Sequence, residues 1–156
     1  TDDTAGVVER FIAEGVRLLK TGLAPRLYEL VGGDAGRITP REMAAAAEQG
    51  DVSGQFSLGA MYYTGDGVEL DNKEAAKWFR MAARQGDVEA QFLLATMYYE
   101  GDGVQQDTVK AYSWFHLSAS NGSRVAADYR NRIGKIMTKE QRAEGQKLSK
   151  RLAAKK

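Results

Sequence analysis

The sequence predicts an all-α protein that folds as a stack of helical hairpins. The chain repeats itself at a fixed spacing of 36 residues, which is the mark of a repeat architecture. Within each repeat, apolar residues recur at the three- and four-residue spacing of one helix face. The composition agrees, because 2 prolines suit a helical chain and 17 glycines can be placed at helix ends and tight turns.

Two full units of the repeat are present. Residues 50–85, laid over residues 86–121, are identical at 18 of 36 positions. The shared segments include Met61-Tyr62-Tyr63 with Met97-Tyr98-Tyr99, and Trp78-Phe79 with Trp114-Phe115. Identity at this level over a fixed period is a stronger signal than a short motif, so we expect each unit to form one layer of a stack.

The first helix of each unit is predicted from its apolar stripe and its glycine end. In the first unit it runs over residues 52–63, with Leu58 and Tyr62 four residues apart on one face. Gly65 stands where the end of a helix favours a left-handed backbone, and Gly67 allows a second sharp bend. The Gly-Asp-Gly segment is therefore expected to turn the chain back on itself.

The second helix of the unit is predicted over residues 72–84. Asp71, with Glu74 three residues later, fits an N-cap and capping box. Gly86 ends this helix and Asp87 caps the next one, so the connection is short and neighbouring helices should pack antiparallel. We expect Trp78 to fill the space between layers, at a cost of roughly 3–5 kcal/mol if it is truncated to alanine.

Small residues and degenerate units complete the predicted stack. Gly59 and Ala95 share one repeat position, where a large side chain would push the two helices of a unit apart. Further helices are expected over residues 6–20, 23–31, 40–49, 125–133 and 138–152, the last with Thr138 and Gln141 as a capping box. The whole chain, 1–156, is thus one domain. It comprises an N-terminal cap and degenerate repeat (1–49), repeats at 50–85 and 86–121, and a degenerate repeat with a closing helix (122–156).

The pattern of the two units resembles the Sel-one-like repeat (SLR), a member of the tetratricopeptide-like superfamily. The residues that carry the resemblance in the first unit are Leu58, Gly59, Tyr62, Gly65, Gly67, Val68, Asp71, Ala75, Trp78, Ala82, Ala83 and Gly86. The second unit departs from the pattern at Ala95 and Ser118. The resemblance implies a right-handed superhelix and a bacterial adaptor or regulator that binds another protein or peptide, with a periplasmic or secreted location favoured over a cytoplasmic one.

The resemblance also implies where a partner binds. By analogy with tetratricopeptide geometry, the concave face is lined by first-helix positions that do not face the second helix, beginning with Ser53, Glu89 and Val125 in successive units. The predicted partner-binding residues are Phe56, Ala60, Tyr63, Phe92, Thr96, Tyr99 and Arg132. Aromatic anchors with polar surroundings suit a peptide-binding surface. The alternative is that these side chains pack against neighbouring helices or a terminal segment.

Composition and motifs argue against most catalytic and metal chemistry. Without cysteine the chain has no thiolate metal ligand, disulfide or cysteine nucleophile. The one histidine, His116, is interpreted as a packing residue, and the Gly-Asp-Gly turns lack the ligand series of a calcium loop. We therefore expect no catalytic residue, no cofactor and no metal site. The alternatives to a binding module are a self-assembling structural module and a hydrolase-like enzyme on a helical scaffold.

Charge and hydropathy limit the other classes of partner. The formal net charge of +1 argues against nucleic-acid binding. No apolar run approaches the ~18 residues that a membrane-spanning helix needs. Residues 137–156 hold seven Lys or Arg against two Glu, which predicts a solvated cap with cations at a helix C-terminus. A weak contact with an anionic surface is the alternative for this segment.

Overall fold

Seven helices follow one another in residues 40–154, the part of the chain that the computed structural model describes. Within these residues there is no strand. In chain order the helices are α1 (Pro40–Glu48), α2 (Val52–Thr64), α3 (Asn72–Arg84), α4 (Val88–Glu100), α5 (Thr108–Ser120), α6 (Arg124–Gly134) and α7 (Lys139–Ala154). The all-α prediction is confirmed, and α3 has the bounds that the sequence predicts. The helices expected over residues 6–20 and 23–31 lie outside the described residues.

Helices that are adjacent in sequence are adjacent in space, as in a solenoid. Each helix from α1 to α5 packs against the next, and α7 returns to pack on α5. One continuous core runs from α2 to Met137, in the turn before α7, and Leu152 of α7 packs against it. A smaller cluster joins α1, α2 and α3 through Met43, Ala47, Leu58 and Trp78. This cluster confirms that Trp78, 6% exposed, fills the space between layers.

The turns form by the chemistry that the sequence predicts. Gly65 and Gly101 end α2 and α4 in the left-handed region, both at φ 73°. Their N–H groups donate to the carbonyls of Met61 and Met97, each over 2.8 Å. A residue with a Cβ is strained at such a φ, so glycine at these two positions fixes where each first helix stops.

The N-cap of α3 is confirmed, but its capping box is not. The Asp71 carboxylate accepts the backbone N–H groups of Lys73 and Glu74, over 3.0 and 3.2 Å. The Asp71 N–H donates to the Tyr62 carbonyl over 2.9 Å rather than to the Glu74 side chain. The reciprocal bond is thus replaced by one that ties the start of α3 to α2. At the start of α7, by contrast, Thr138 and Gln141 form both bonds of the predicted box.

Two close approaches hold neighbouring elements together. A Cβ on Gly59 would lie 2.8 Å from the Phe79 ring, which confirms that this position must be small for α2 to meet α3. A Cβ on Gly103 would collide with the backbone carbonyl of Asn72 at the start of α3. The turn after α4 therefore rests directly on the preceding repeat.

Candidate functional site

The structure places most of the predicted partner-binding strip in the interior. Six of its seven members are at most 8% exposed, and Arg132 is half-buried. The buried members are Phe56, Ala60, Tyr63, Phe92, Thr96 and Tyr99. The strip is thus not an open aromatic groove, although the binding role assigned to it stays a prediction.

Ring contacts explain this burial and correct the expected orientation. The Phe56 ring lies 5.7 Å from the Phe79 ring of α3, and the Phe92 ring lies 5.4 Å from the Phe115 ring of α5. The expectation that these first-helix positions do not face the second helix is therefore wrong for Phe56 and Phe92. Edge-to-face and tilted aromatic pairs of this kind stabilise a core beyond the area they bury.

Two further members of the strip, Tyr63 and Thr96, also serve packing. The Tyr63 ring meets the Phe79 ring edge-on at 5.9 Å. Burial raises the pKa of the Tyr63 hydroxyl well above its usual range, and the carboxylates of Asp102 and Glu100 add to this effect. The Thr96 hydroxyl donates to the Leu93 carbonyl of its own helix over 2.7 Å. Tyr63 and Thr96 thus have intramolecular partners.

Sequence reasoning missed a ladder of buried amides that links the repeats. Gln55 and Gln91 are each 1% exposed, at equivalent positions of α2 and α4. The Gln55 Nε2 donates to the Ala47 carbonyl over 3.2 Å, and the Gln91 Nε2 donates to the Ala83 carbonyl over 3.0 Å. Each glutamine therefore ties its repeat to the last turn of the helix before it.

The same glutamines accept a bond from the end of their own repeat. The Gln85 Nε2 donates to Gln55 Oε1 over 2.8 Å, and the Asn121 Nδ2 donates to Gln91 Oε1 over 3.2 Å. Buried polar groups that are paired in this way stabilise one arrangement of the helices. A signal was present in the sequence, since Gln-Phe recurs at residues 55–56 and 91–92 within otherwise apolar segments.

His116 has the packing role expected of it. Its ring stacks on Tyr112 at 6.1 Å and an 18° interplanar angle, and Arg130 Nη1 lies 3.5 Å from its Nδ1. Partial burial, and then the Arg130 charge, lower the pKa of the imidazole. Within residues 40–154, no group of three or more His, Asp or Glu side chains is placed to hold a metal ion.

One cation of the basic closing helix is used in the fold. Arg142 Nη1 donates to the carbonyls of Gly134 and Met137, over 2.7 and 2.6 Å, at the end of α6. Other cations of α7 are exposed, among them Lys147 and Lys150. A contact of this face with an anionic surface stays a prediction. Every helix in the described part is too short or too polar to be a candidate for crossing a membrane.

Comparison with known families identifies the repeat. The Sel1 repeat family matches the chain twice, at residues 52–87 and 88–123. The first match contains the hairpin α2–α3 and the second contains α4–α5. Among curated proteins, none matches the chain significantly.

Two solved bacterial structures are similar to the chain. One is a protective antigen of uropathogenic Escherichia coli strains that displays an SLR fold. It is 35% identical with a TM-score of 0.71, over 74% of this chain and 25% of the antigen. The other is a Sel1 repeat protein from Oxalobacter formigenes, 36% identical with a TM-score of 0.58, over 60% of this chain and 27% of that protein.

The chain spans about a quarter of the length of each of these relatives. Sel1 repeats generally act as protein-interaction modules. The matched residues, the helical hairpins and the solved relatives agree with the resemblance read from the sequence. The chain therefore carries two repeats of the Sel1 repeat family, within the all-α solenoid fold of its solved relatives.

Proposed function

We propose that the protein is a non-catalytic interaction module, an adaptor or regulator that binds another protein or peptide along the first helices of its repeats. The observation that carries the proposal is the pair of tandem Sel1 repeats, because this family generally mediates contacts between proteins. The displaced pKa values of Tyr63 and His116 belong to packing contacts rather than to a cluster of reactive groups.

The burial of the aromatic strip decides which part of that face a partner can reach. The accessible positions include those at which successive first helices begin, Ser53, Glu89 and Val125, all of which are exposed. They are 36 residues apart and so form a row across three layers. Val125 is 53% exposed, which makes it the apolar anchor of the row. The buried aromatic residues support this row from within.

The proposal is tested by a matched pair of surface variants. Val125→Asp places a charge in the row, and Leu70→Asp makes the same change at a leucine that is 54% exposed in the turn before α3. A protein captured by the wild-type chain from its host is identified by mass spectrometry, purified and titrated against both variants. We expect Val125→Asp to weaken binding at least about tenfold, the equivalent of ~1.4 kcal/mol, and Leu70→Asp to leave it unchanged.

Equal binding by wild type and Val125→Asp would remove the row from the proposal. Absence of saturable binding by the wild type would contradict the interaction module itself. Sedimentation at several concentrations separates the self-assembling alternative, because in that case Val125→Asp would abolish a concentration-dependent dimer.

A further inference from the structure

A polar cleft of about 410 Å³ opens between α3 and the turn that leads into α5. Its polar lining consists of Arg80, Tyr98, Gln105, Gln106, Asp107 and Lys110. This volume is in the range of sites that hold a small ligand or a few side chains. The cleft lies apart from the Ser53–Glu89–Val125 row, since none of those three residues lines it.

Two cations are gathered around one tyrosine at the cleft. Arg80 Nη2 donates to the Tyr98 hydroxyl over 3.0 Å, and its guanidinium carbon lies 6.0 Å from the centre of the ring. The Lys110 Nζ lies 5.5 Å from the same centre. In the described part of the chain these two side chains contact Tyr98 and are not paired with a carboxylate. Their remaining N–H groups are therefore available to an anion.

The repeat itself does not require this arrangement. Tyr62 is the equivalent of Tyr98 in the first unit, but Ala44 and Glu74 stand at the positions equivalent to Arg80 and Lys110. The first hairpin forms with the same helix bounds relative to its repeat in spite of these differences. The pair of cations is thus particular to the junction between these two repeats, which is expected of a recognition site rather than of a structural contact.

The charges of the cleft select the kind of anion. The Asp107 carboxylate is held by its own helix, since it accepts the Lys110 backbone N–H over 3.0 Å as the N-cap of α5. Two cations and this one carboxylate leave a single positive charge, which matches a carboxylate better than a dianionic phosphate. The Tyr98 hydroxyl, which accepts the bond from Arg80, has its own proton to donate to a carboxylate oxygen.

We propose that this cleft binds a carboxylate side chain from an acidic segment of a partner protein, between Arg80 and Lys110 and against the Tyr98 hydroxyl. The inference rests on the proposed function, because it names the chemistry of one segment of the partner. It adds a second contact surface to the row of first-helix residues. Arg80 supplies directional hydrogen bonds, and Lys110 supplies a mobile charge at the mouth of the cleft.

The test uses a hexaglutamate peptide as the probe and a hexaglutamine peptide as its uncharged control. Binding to the whole chain is followed by two-dimensional NMR of the backbone amides. We expect saturable shift changes at residues 98 and 105–110 with hexaglutamate and none with hexaglutamine. Arg80→Gln should weaken hexaglutamate binding at least about tenfold, whereas Lys150→Gln, which removes an exposed charge of α7, should leave it unchanged.

Four results would overturn the cleft proposal. They are no binding of hexaglutamate, equal binding of hexaglutamine, equal binding by the Arg80→Gln and Lys150→Gln variants, and displacement of the peptide by an equal concentration of inorganic phosphate.

Thermal unfolding of the Arg80→Gln variant checks that the fold is retained. Tyr98→Phe, which keeps the ring and removes the hydroxyl, is a second variant that should also weaken hexaglutamate binding. Hexaglutamate binding does not involve Val125. If hexaglutamate does not bind but the wild-type chain still captures a partner protein, the cleft proposal alone is rejected. Binding of hexaglutamate without capture of any partner protein would instead contradict the proposed interaction module and leave the cleft as a site for carboxylates.

Discussion

The buried Gln91 amide allows the stability of the repeat junction to be tested by a single substitution. Gln91→Met keeps the length and the unbranched shape of the side chain and removes its hydrogen-bonding groups. The change deletes the bond to the Ala83 carbonyl and the bond from the Asn121 side chain. Any loss of stability therefore combines the link from Gln91 to the preceding Sel1 repeat with the bond between Gln91 and Asn121 inside the second repeat.

The magnitude follows from what the substitution leaves behind. A typical buried hydrogen bond contributes about 0.5–1.5 kcal/mol net. The Ala83 carbonyl also accepts the Gly86 N–H over 3.1 Å, and Asn121 is exposed, so neither partner is left without an alternative. We therefore expect a loss of about 1–2 kcal/mol in the free energy of unfolding. At ~2–4 °C per kcal/mol for a chain of this size, this lowers the melting temperature by roughly 2–8 °C.

The assay is urea unfolding followed by circular dichroism, with Gln146→Met as the matched control. Gln146 is an exposed glutamine of α7, and its substitution should change stability by less than about 0.5 kcal/mol. A double-mutant cycle with Asn121→Ala then isolates the Gln91–Asn121 bond. If Gln91→Met and Gln146→Met unfold at the same urea concentration, the ladder does not stabilise the junction and the reasoning is refuted.

Three further substitutions test other contacts of the fold. Gly103→Ala should cost more stability than Gly86→Ala in urea unfolding, because a Cβ on Gly103 meets backbone whereas one on Gly86, also at positive φ, meets nothing within 4 Å; equal costs would contradict this packing. Trp78→Ala should lose about 3–5 kcal/mol, and a melting temperature equal to that of the wild type would show that the indole does not fill the space between layers. The lowered pKa of His116 means that below pH ~6.5 the unfolded chain takes up a proton that the folded chain resists, so stability falls with decreasing pH. His116→Gln should therefore reduce the difference between the urea midpoints at pH 7.5 and 5.5. If this difference equals that of the wild type, the pKa of His116 is not lowered by folding.

The helices and their ends were predictable from the sequence because they depend on local chemistry. Asp71 and Gly65 act within one turn of their own positions, as an N-cap and as a left-handed C-terminal residue. Because the sequence repeats every 36 residues, the same N-cap and C-terminal glycine occur in both repeats. The capping box at Asp71 failed because the Tyr62 carbonyl of another helix competes for the same N–H group. Such competition between helices is not encoded in the spacing of residues along one helix.

The face of the first helices could not be assigned from apolar spacing, because these helices are buried almost all round. Residues 54–60 of α2 and 90–99 of α4 are buried without interruption. A helix of this kind has no polar stripe to distinguish a groove from a core. The predicted binding surface therefore included Phe56 and Phe92, although both side chains lie in the core. The sequence did indicate that these helices are buried. No charged residue occurs within residues 52–64, and the charged residues of α4 stand only at its two ends.

The stability of the Phe92→Ala variant tests most directly whether the aromatic residues of the first helices belong to the core. Its ring contacts Phe115 at 5.4 Å and Tyr129 at 5.0 Å, so it joins α4, α5 and α6. Because this ring is buried, its removal should lower the free energy of unfolding by about 3–5 kcal/mol, the cost of emptying an aromatic core position. An unchanged urea midpoint, together with loss of partner binding, would contradict it and return Phe92 to the binding surface.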